Sequence, residues 1–421
     1  KTAYEIMPSL VGSEMCIRDR NIVIIATLDT KGEEAEYLKK LIEDKGHKAI
    51  VVDAGILGEP RFQGDISREK IAELGGRTLN DLIRDARSGV EKMKILKVVI
   101  EGVKKAVLDL YQKRMLDGIV AIGGSTGTAI GTAAMKILPI GVPKLMVSTF
   151  VDPHYVGEKD IAIFQAPADM VGLNYIMQRA LSTAAGAIIG MVESTIRAKP
   201  QKPTVGITAL GVTTPAAMGI SLKLKNQGYD VVVFHAKSQN LDELIEQDEI
   251  FGVIDLTPFE LIRLHIFRPP NVPPRERSDR LEPALRKGLP YIFVPGGLDM
   301  HIFRGTPEEL PPQFKSRKLY MHGPYVTLAR TSIDEMIKLA DVVANKLKLA
   351  KGPAAVIIPL KGFSALDRPG APFYYPEADN AFVSELKSRL PSNIKFVTVD
   401  AHINDGKFID EVIRLWGELI E

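Results

Sequence analysis

The segments Ile22-Val-Ile-Ile-Ala-Thr-Leu-Asp29 and Thr204-Val-Gly-Ile-Thr-Ala-Leu-Gly211 open the same pattern twice, at an offset of 182 residues. Each is followed by a helical periodicity and a second apolar run, Gly46-His-Lys-Ala-Ile-Val-Val-Asp53 in one case and Gly228-Tyr-Asp-Val-Val-Val-Phe-His235 in the other. Strands that are apolar along their length have no face to give to water, so they pair in parallel and take helices on both sides. The chain is therefore read as α/β, with two Rossmann-like doubly wound domains built on mostly parallel sheets. Asp53 and His235 fall at corresponding strand ends.

A length of 421 residues exceeds what one hydrophobic core serves. The expected domains are residues 21–200 and 201–421, divided near Ala198-Lys-Pro-Gln-Lys-Pro203, where prolines and polar residues interrupt both patterns. Further strands are expected at 118–122, 144–148, 252–256, 291–295, 354–359 and 394–399. Thr30-Lys-Gly-Glu33, Thr257-Pro-Phe-Glu260, Thr306-Pro-Glu-Glu309 and Ser332-Ile-Asp-Glu335 each fit a capping box and predict a helix start. Ala180, Ala184, Gly186, Ala187 and Gly190 recur at helical spacing, which predicts a buried or oligomer-forming helix, and with it a homo-dimer or larger homo-oligomer. Arg268-Pro-Pro-Asn-Val-Pro-Pro-Arg-Glu-Arg277 reads as an exposed, semi-rigid loop.

Residues 1–20 show no sustained periodicity, and the stretch from Met7 to Arg20 resembles translated sequencing-adapter read-through. This segment is expected to be non-native or disordered and is set aside. A net charge of +2 gives no strong field for nucleic acid or an anionic membrane, so neither is expected as a partner. The single cysteine, Cys16, excludes an internal disulfide and a cysteine-built metal site, which fits a reducing, cytoplasmic setting. No apolar run reaches the ~18 residues of a membrane span.

The most telling local motif is Gly123-Gly124-Ser125-Thr126-Gly127-Thr128, which follows the apolar run 118–122 and precedes a helical stretch. Strand, glycine turn and helix together present backbone N–H groups and a helix dipole to an anion. The spacing is neither G-x-G-x-x-G nor a Walker loop with its lysine, so the motif reads as a phosphate cradle of another type, against a turn that needs glycine for geometry alone.

Ligands of doubly wound sheets bind beyond the carboxyl ends of the strands. In the first domain those positions are Thr27, Asp29, Thr30 and Lys31, then Asp53, the glycine loop from Gly123 to Thr128, and Ser148 with Thr149. Asp29 or Asp53 suits ribose hydroxyls or a hydrated Mg²⁺, with helix capping as the other reading of Asp29. In the second domain they are His235, Asp255, Asp299, His322, Asp400 and His402. Asp400 would orient His402 for acid–base work, facing Ser364 as nucleophile or Lys361 as substrate anchor; the competing reading is a hydrogen-bonded turn. The histidines His235, His322 and His402 have no metal-ligand spacing, and no transition metal is expected.

Taken with Leu138-Pro-Ile-Gly-Val-Pro-Lys-Leu-Met-Val-Ser-Thr149, Tyr155-Val-Gly157, Asp160-Ile161, Ser364-Ala-Leu-Asp-Arg-Pro-Gly370 and Asp400-Ala-His-Ile-Asn-Asp405, the motifs Thr27-Leu-Asp-Thr-Lys-Gly-Glu33 and Gly123-Gly-Ser-Thr-Gly-Thr128 resemble the Tm-1-like ATP-binding family, also called UPF0261. The resemblance runs from residue 21 to residue 421 and implies two Rossmann-like domains with ATP and Mg²⁺ in the N-terminal one. The chain departs from the family at Thr126, which replaces a glycine, at the shortened Phe150-Val-Asp-Pro-His154, and at His235-Ala-Lys-Ser-Gln-Asn240 in place of a glycine-rich turn.

The functional expectation is a cytosolic ATP-binding protein with nucleotide and Mg²⁺ in the N-terminal domain and a small anionic substrate in a cleft between the domains. As an enzyme it would perform phosphoryl transfer or hydrolysis, with Gly124 to Thr128 on the phosphates, Lys31 offsetting charge and Asp29 or Asp53 positioning Mg²⁺. The alternatives are a non-catalytic module in which nucleotide stabilises an oligomer, and a dinucleotide-dependent oxidoreductase, which the lack of G-x-G-x-x-G after Ala26 disfavours.

Overall fold

The structure is a computed structural model and describes residues 19–194, 201–236, 239–269 and 279–421. Cys16 with nearly all of the N-terminal segment, the linker at 195–200, residues 237–238 and the proline-rich stretch at 270–278 lie outside the described residues. The chain divides into two compact units, residues 1–197 and 198–421.

The first unit is built on a five-stranded sheet of β1 (Asn21–Ala26), β2 (Lys48–Asp53), β3 (Gly118–Gly123), β4 (Lys144–Ser148) and β5 (Ala162–Gln165). All neighbours pair in parallel, in the order β2-β1-β3-β4-β5. Alternate residues of each strand feed opposite cores. Val23, Ile25, Val52 and Ile119 pack with the helices Lys92–Gln112 and Ser125–Lys136. Ile22, Ile24, Val51 and Val120 pack with the helices Leu28–Glu43 and Tyr175–Glu193. Each such aliphatic side chain, removed from water on either face, contributes about 1.5–3 kcal/mol. The strand order reverses between β1 and β3, which opens a crevice at their carboxyl ends.

The second unit repeats this opening. Its parallel sheet comprises β6 (Thr204–Ala209), β7 (Asp230–His235), β8 (Gly252–Asp255), β9 (Tyr291–Phe293), β13 (Ala354–Pro359) and β14 (Lys395–Val399), in the order β14-β13-β9-β8-β6-β7. Between β9 and β13 the chain adds an antiparallel sheet of β10 (Met300–Arg304), β11 (Leu319–Gly323) and β12 (Val326–Arg330), ordered β10-β12-β11. Both parallel sheets are covered on two faces by helices, the second by the clusters around Phe293 and around Trp416.

Of the four expected capping boxes, one forms in full and one by half. Ser332 Oγ accepts from Glu335 N at 3.3 Å while Glu335 Oε2 accepts from Ser332 N at 2.9 Å, opening the helix Ile333–Leu347. At Thr306 only half of the exchange forms: Glu309 Oε2 accepts from Thr306 N at 2.8 Å beside a single 3₁₀ turn, Pro307–Glu309, while the N–H of Glu309 goes to Thr306 O. Thr30 does not cap: the helix starts after Thr27, is broken by Lys31 (φ −127°, ψ 23°), and Thr30 Oγ1 meets Thr27 Oγ1 at 2.8 Å. Glu33 turns instead to Arg61 Nη1, 2.8 Å away, and to the N–H of Leu173. Thr257 spends its hydroxyl on Thr213 Oγ1, 2.8 Å away, and no helix starts beside it; a π-helical turn, Ile262–Ile266, follows. In the small-residue helix Tyr175–Glu193, Ala180 and Ala184 are buried, whereas a Cβ added to Gly186 or Gly190 would meet nothing within 4 Å. Among the described residues no helix is long and apolar enough to cross a membrane.

Candidate functional site

The crevice of the first unit holds a cavity of about 610 Å³. On one side β3 ends at Gly123 and the helix Ser125–Lys136 begins two residues later, the chain turning through Gly124 (φ −85°, ψ −156°). A Cβ on Gly123 would stand 2.9 Å from Cα of Gly127, so backbone passes backbone there. Gly124 is different, since its added Cβ would meet only Thr149 Oγ1, at 3.4 Å. The helix N-terminus has no side-chain cap, and Gly123 to Gly127 line the cavity. Its first N–H groups and the positive end of its dipole are therefore available to an anion. Thr126 sits in the first helical turn without a positive φ, so its side chain is accommodated there.

Thr128 and Ser148 stand behind this turn rather than along the cavity. Both are fully buried, and Thr128 Oγ1 lies 2.8 Å from Gly124 O and 2.5 Å from Ser148 Oγ. They hold the loop in shape.

The opposite lip is formed by Thr27, Thr30 and Lys31 after β1 and by residues 54–58 after β2. Asp29 joins them. Its Oδ2 receives the N–H groups of Ile56, Leu57 and Gly58 at 3.2, 3.1 and 3.2 Å, and its Oδ1 is buried with no partner among the described residues. Asp53 plays a different part: Oδ1 accepts from Leu28 N at 3.0 Å and Gly55 N at 2.8 Å, tying the two turns together. Burial raises its pKa against those two bonds, and the nearby Asp29 raises it further. Of the two carboxylates read as ribose or Mg²⁺ ligands, Asp29 borders the cavity and Asp53 lies behind it.

The far wall is aliphatic, made by Val90, Ile95, Leu96, Val99 and Ile130. Sequence reasoning missed this wall because residues at helical spacing on an apolar face look like ordinary core. It also missed the turn Gly55-Ile-Leu-Gly58, whose two glycines after Asp53 were the available signal.

In the second unit the expected Asp400–His402 pair does not form. Asp400 Oδ2 meets Lys361 Nζ at 3.1 Å on the surface, while His402 Nε2 lies 2.8 Å from Ser364 O and Nδ1 accepts from Asn404 N at 3.2 Å. A carbonyl only accepts, so Nε2 carries the proton and the ring is pinned as a turn element. Ser364 directs its hydroxyl away from His402, to Asp299 Oδ2 at 2.6 Å. Asp255 is buried as well, receiving Thr208 Oγ1, Tyr291 OH and Arg280 Nη2 at 2.6, 2.7 and 2.7 Å. His322 lies exposed on β11, and among the described residues no group of three or more His, Cys, Asp or Glu side chains could hold a metal ion.

Comparison with known proteins fits this two-part architecture. The profile of the uncharacterised protein family (UPF0261) N-terminal domain matches residues 20–197, and that of its C-terminal domain matches residues 202–420. A UPF0261 protein of Clostridium tetani is 38% identical over 398 residues, covering 93% of this chain and 96% of that protein. One from Rhizobium meliloti is 34% identical over 410 residues, covering 95% and 99%. The ToMV resistance protein Tm-1(GCR237) of Solanum lycopersicum is 34% identical over 318 residues, 72% of this chain but 42% of that protein. With both domains matched in order and relatives aligned along nearly its whole length, the chain belongs to the Tm-1-like UPF0261 family.

Proposed function

We propose that the cavity of the first unit binds ATP with Mg²⁺. The observation that carries this reading is the uncapped N-terminus of the helix Ser125–Lys136, which opens through Gly124 onto a cavity with an aliphatic far wall. Phosphate oxygens suit the N–H groups from Gly124 to Gly127, and the aliphatic wall suits the apolar faces of a base. Lys31 lines the cavity and offsets phosphate charge. Magnesium needs only one or two carboxylates beside phosphate oxygens and water, and Asp29 is the carboxylate that borders the cavity. The metal would neutralise phosphate charge there.

A cavity without histidine, whose one carboxylate is already held by three N–H groups, favours binding over turnover. Isothermal titration with ATP·Mg tests the first statement, and absence of heat with the wild-type protein removes it. Release of phosphate from ATP, followed over hours, tests the second: steady turnover that Lys31→Ala abolishes would make the protein an enzyme.

A further inference from the structure

Three consecutive backbone N–H groups, those of Ile56, Leu57 and Gly58, converge on one point, which is the geometry of an anion-binding nest. The occupant is the protein's own Asp29 Oδ2. The nest is rigid on both sides. Ala54 N donates to Ala26 O at 2.8 Å, Gly55 N donates to Asp53 Oδ1 at 2.8 Å, and Arg68 Nη1 donates to Gly58 O. Space is tight above the carboxylate, because a Cβ on Gly55 would come within 2.9 Å of Asp29 Oδ1 and one on Gly58 within 3.1 Å of Asp29 Cβ.

Asp29 fills this nest poorly. All three N–H groups crowd onto one oxygen at 3.1 to 3.2 Å, long for bonds to a charged acceptor. The other oxygen is shut away from water with no partner among the described residues, a costly state for a carboxylate. A phosphoryl group, with three acceptor oxygens, would satisfy the same donors better.

The geometry points to a second anion subsite in this cavity, formed by the N–H groups of residues 56–58 and plugged by the carboxylate of Asp29 until a ligand phosphate displaces it. The cavity thus has two anion-binding lips, the helix N-terminus at Gly124 and the nest at Gly58, both among its lining residues. A ligand with a chain of phosphates can address both, which deepens the nucleotide reading and depends on it only for the identity of the anion. The displaced carboxylate is then free to meet a cation that accompanies the phosphates.

The test is titration of the full chain with inorganic phosphate and pyrophosphate. Asp29→Ala empties the nest and removes a charge, whereas Asp29→Asn removes the charge but keeps an oxygen on the three N–H groups. Asp29→Ala should bind pyrophosphate about tenfold more tightly than Asp29→Asn, the scale of one set of charge-assisted hydrogen bonds. Equal affinity in the two variants means that only charge mattered and overturns the nest; so does weaker binding by Asp29→Ala. Asp29→Ser, too short to reach the N–H groups, takes its place if Asp29→Ala does not fold, with the same criteria. Wild-type protein that binds ATP·Mg while Asp29→Ala gains nothing over Asp29→Asn keeps the nucleotide reading and loses the nest. Pyrophosphate gain without any ATP binding keeps the nest and loses the nucleotide.

Discussion

Ser364 Oγ donates a 2.6 Å hydrogen bond to Oδ2 of Asp299, and both side chains are fully buried. They sit beside Arg330, a single guanidinium facing three carboxyl groups, Asp299, Asp367 and Asp379. Asp299 Oδ1 and Asp367 Oδ1 have no hydrogen-bond partner among the described residues. Burial, reinforced by the charge of Asp367 and opposed by Arg330, lifts the pKa of Asp299 to about 7.

A carboxyl whose folded pKa lies above its unfolded value, near 3.9, holds its proton in the folded state and loses stability as it ionises. The second unit should therefore lose stability as pH rises from about 4 to about 7, by an amount on the order of 1–4 kcal/mol. Glu335 does not confuse this window: burial alone would raise it, but bonds from His301 and Arg317 pull it down to about 2, so its contribution is complete above the ordinary glutamate range. The one tryptophan, Trp416, is buried in the second unit and its fluorescence reports the transition. Denaturant midpoints at pH 5 and 7.5 should differ in the wild type and change by a different amount in Asp299→Asn, where Asp379, also raised by burial, still acts in the same direction and His301 and His265, lowered by burial, in the opposite one.

Ser364→Ala removes the donor from a buried carboxyl and should cost about 1–3 kcal/mol. Affinity for ATP·Mg should not change. A thermal melt with a parallel nucleotide titration measures both, and lost nucleotide affinity at unchanged stability would return Ser364 to the functional site.

Gly123→Ala and Gly124→Ala should fail in opposite ways. The first drives a methyl group to 2.9 Å from Cα of Gly127 and should cost about 1–3 kcal/mol of stability. The second meets only Thr149 Oγ1, at 3.4 Å, in an extended backbone that alanine accepts, and should leave melting within ~0.5 kcal/mol. Its methyl group stands at the lip of the cavity, so ATP·Mg should bind about tenfold more weakly, the effect of losing roughly one good phosphate contact.

Gly362→Ala is the most damaging single substitution expected. The residue has φ +119°, and an added Cβ would stand 1.5 Å from Asp367 O. The loop carrying Ser364 and Asp367 would have to move, at a cost of about 3 kcal/mol or more. Soluble yield and the Trp416 signal of the purified variant measure the damage.

The parallel strands were legible because their chemistry is local: every residue of β3, β6 and β13 is buried, and each reads as an unbroken small or apolar run. The antiparallel sheet was not legible, since β11 is largely exposed and β10 mixes His301 and Arg304 with its three apolar residues. A capping box is also visible as a pattern, but its hydroxyl goes to the best partner in space. Thr257 found Thr213, far away in sequence, and Thr30 found Thr27, three residues before it rather than three after. At the cavity the polar lip around Asp29 and the glycine turn was readable from strand ends. The wall of Val90, Ile95, Leu96 and Val99 was not, because a ligand-facing aliphatic residue has no chemical signature of its own.

The strands β9 and β13 lie side by side with Tyr291 opposite Ala354, yet the antiparallel sheet and the helix Ile333–Leu347 separate them along the chain. Antiparallel neighbours such as β11 and β12 close a short loop and form within about 1–10 μs, whereas a parallel pair across a long insertion must first lose the entropy of closing it. The insert, being local, is expected to form before β13 joins β9, and that joining is expected to be the slower step in refolding the second unit. Shortening the insert should speed refolding of that unit while leaving the kinetics of the first untouched.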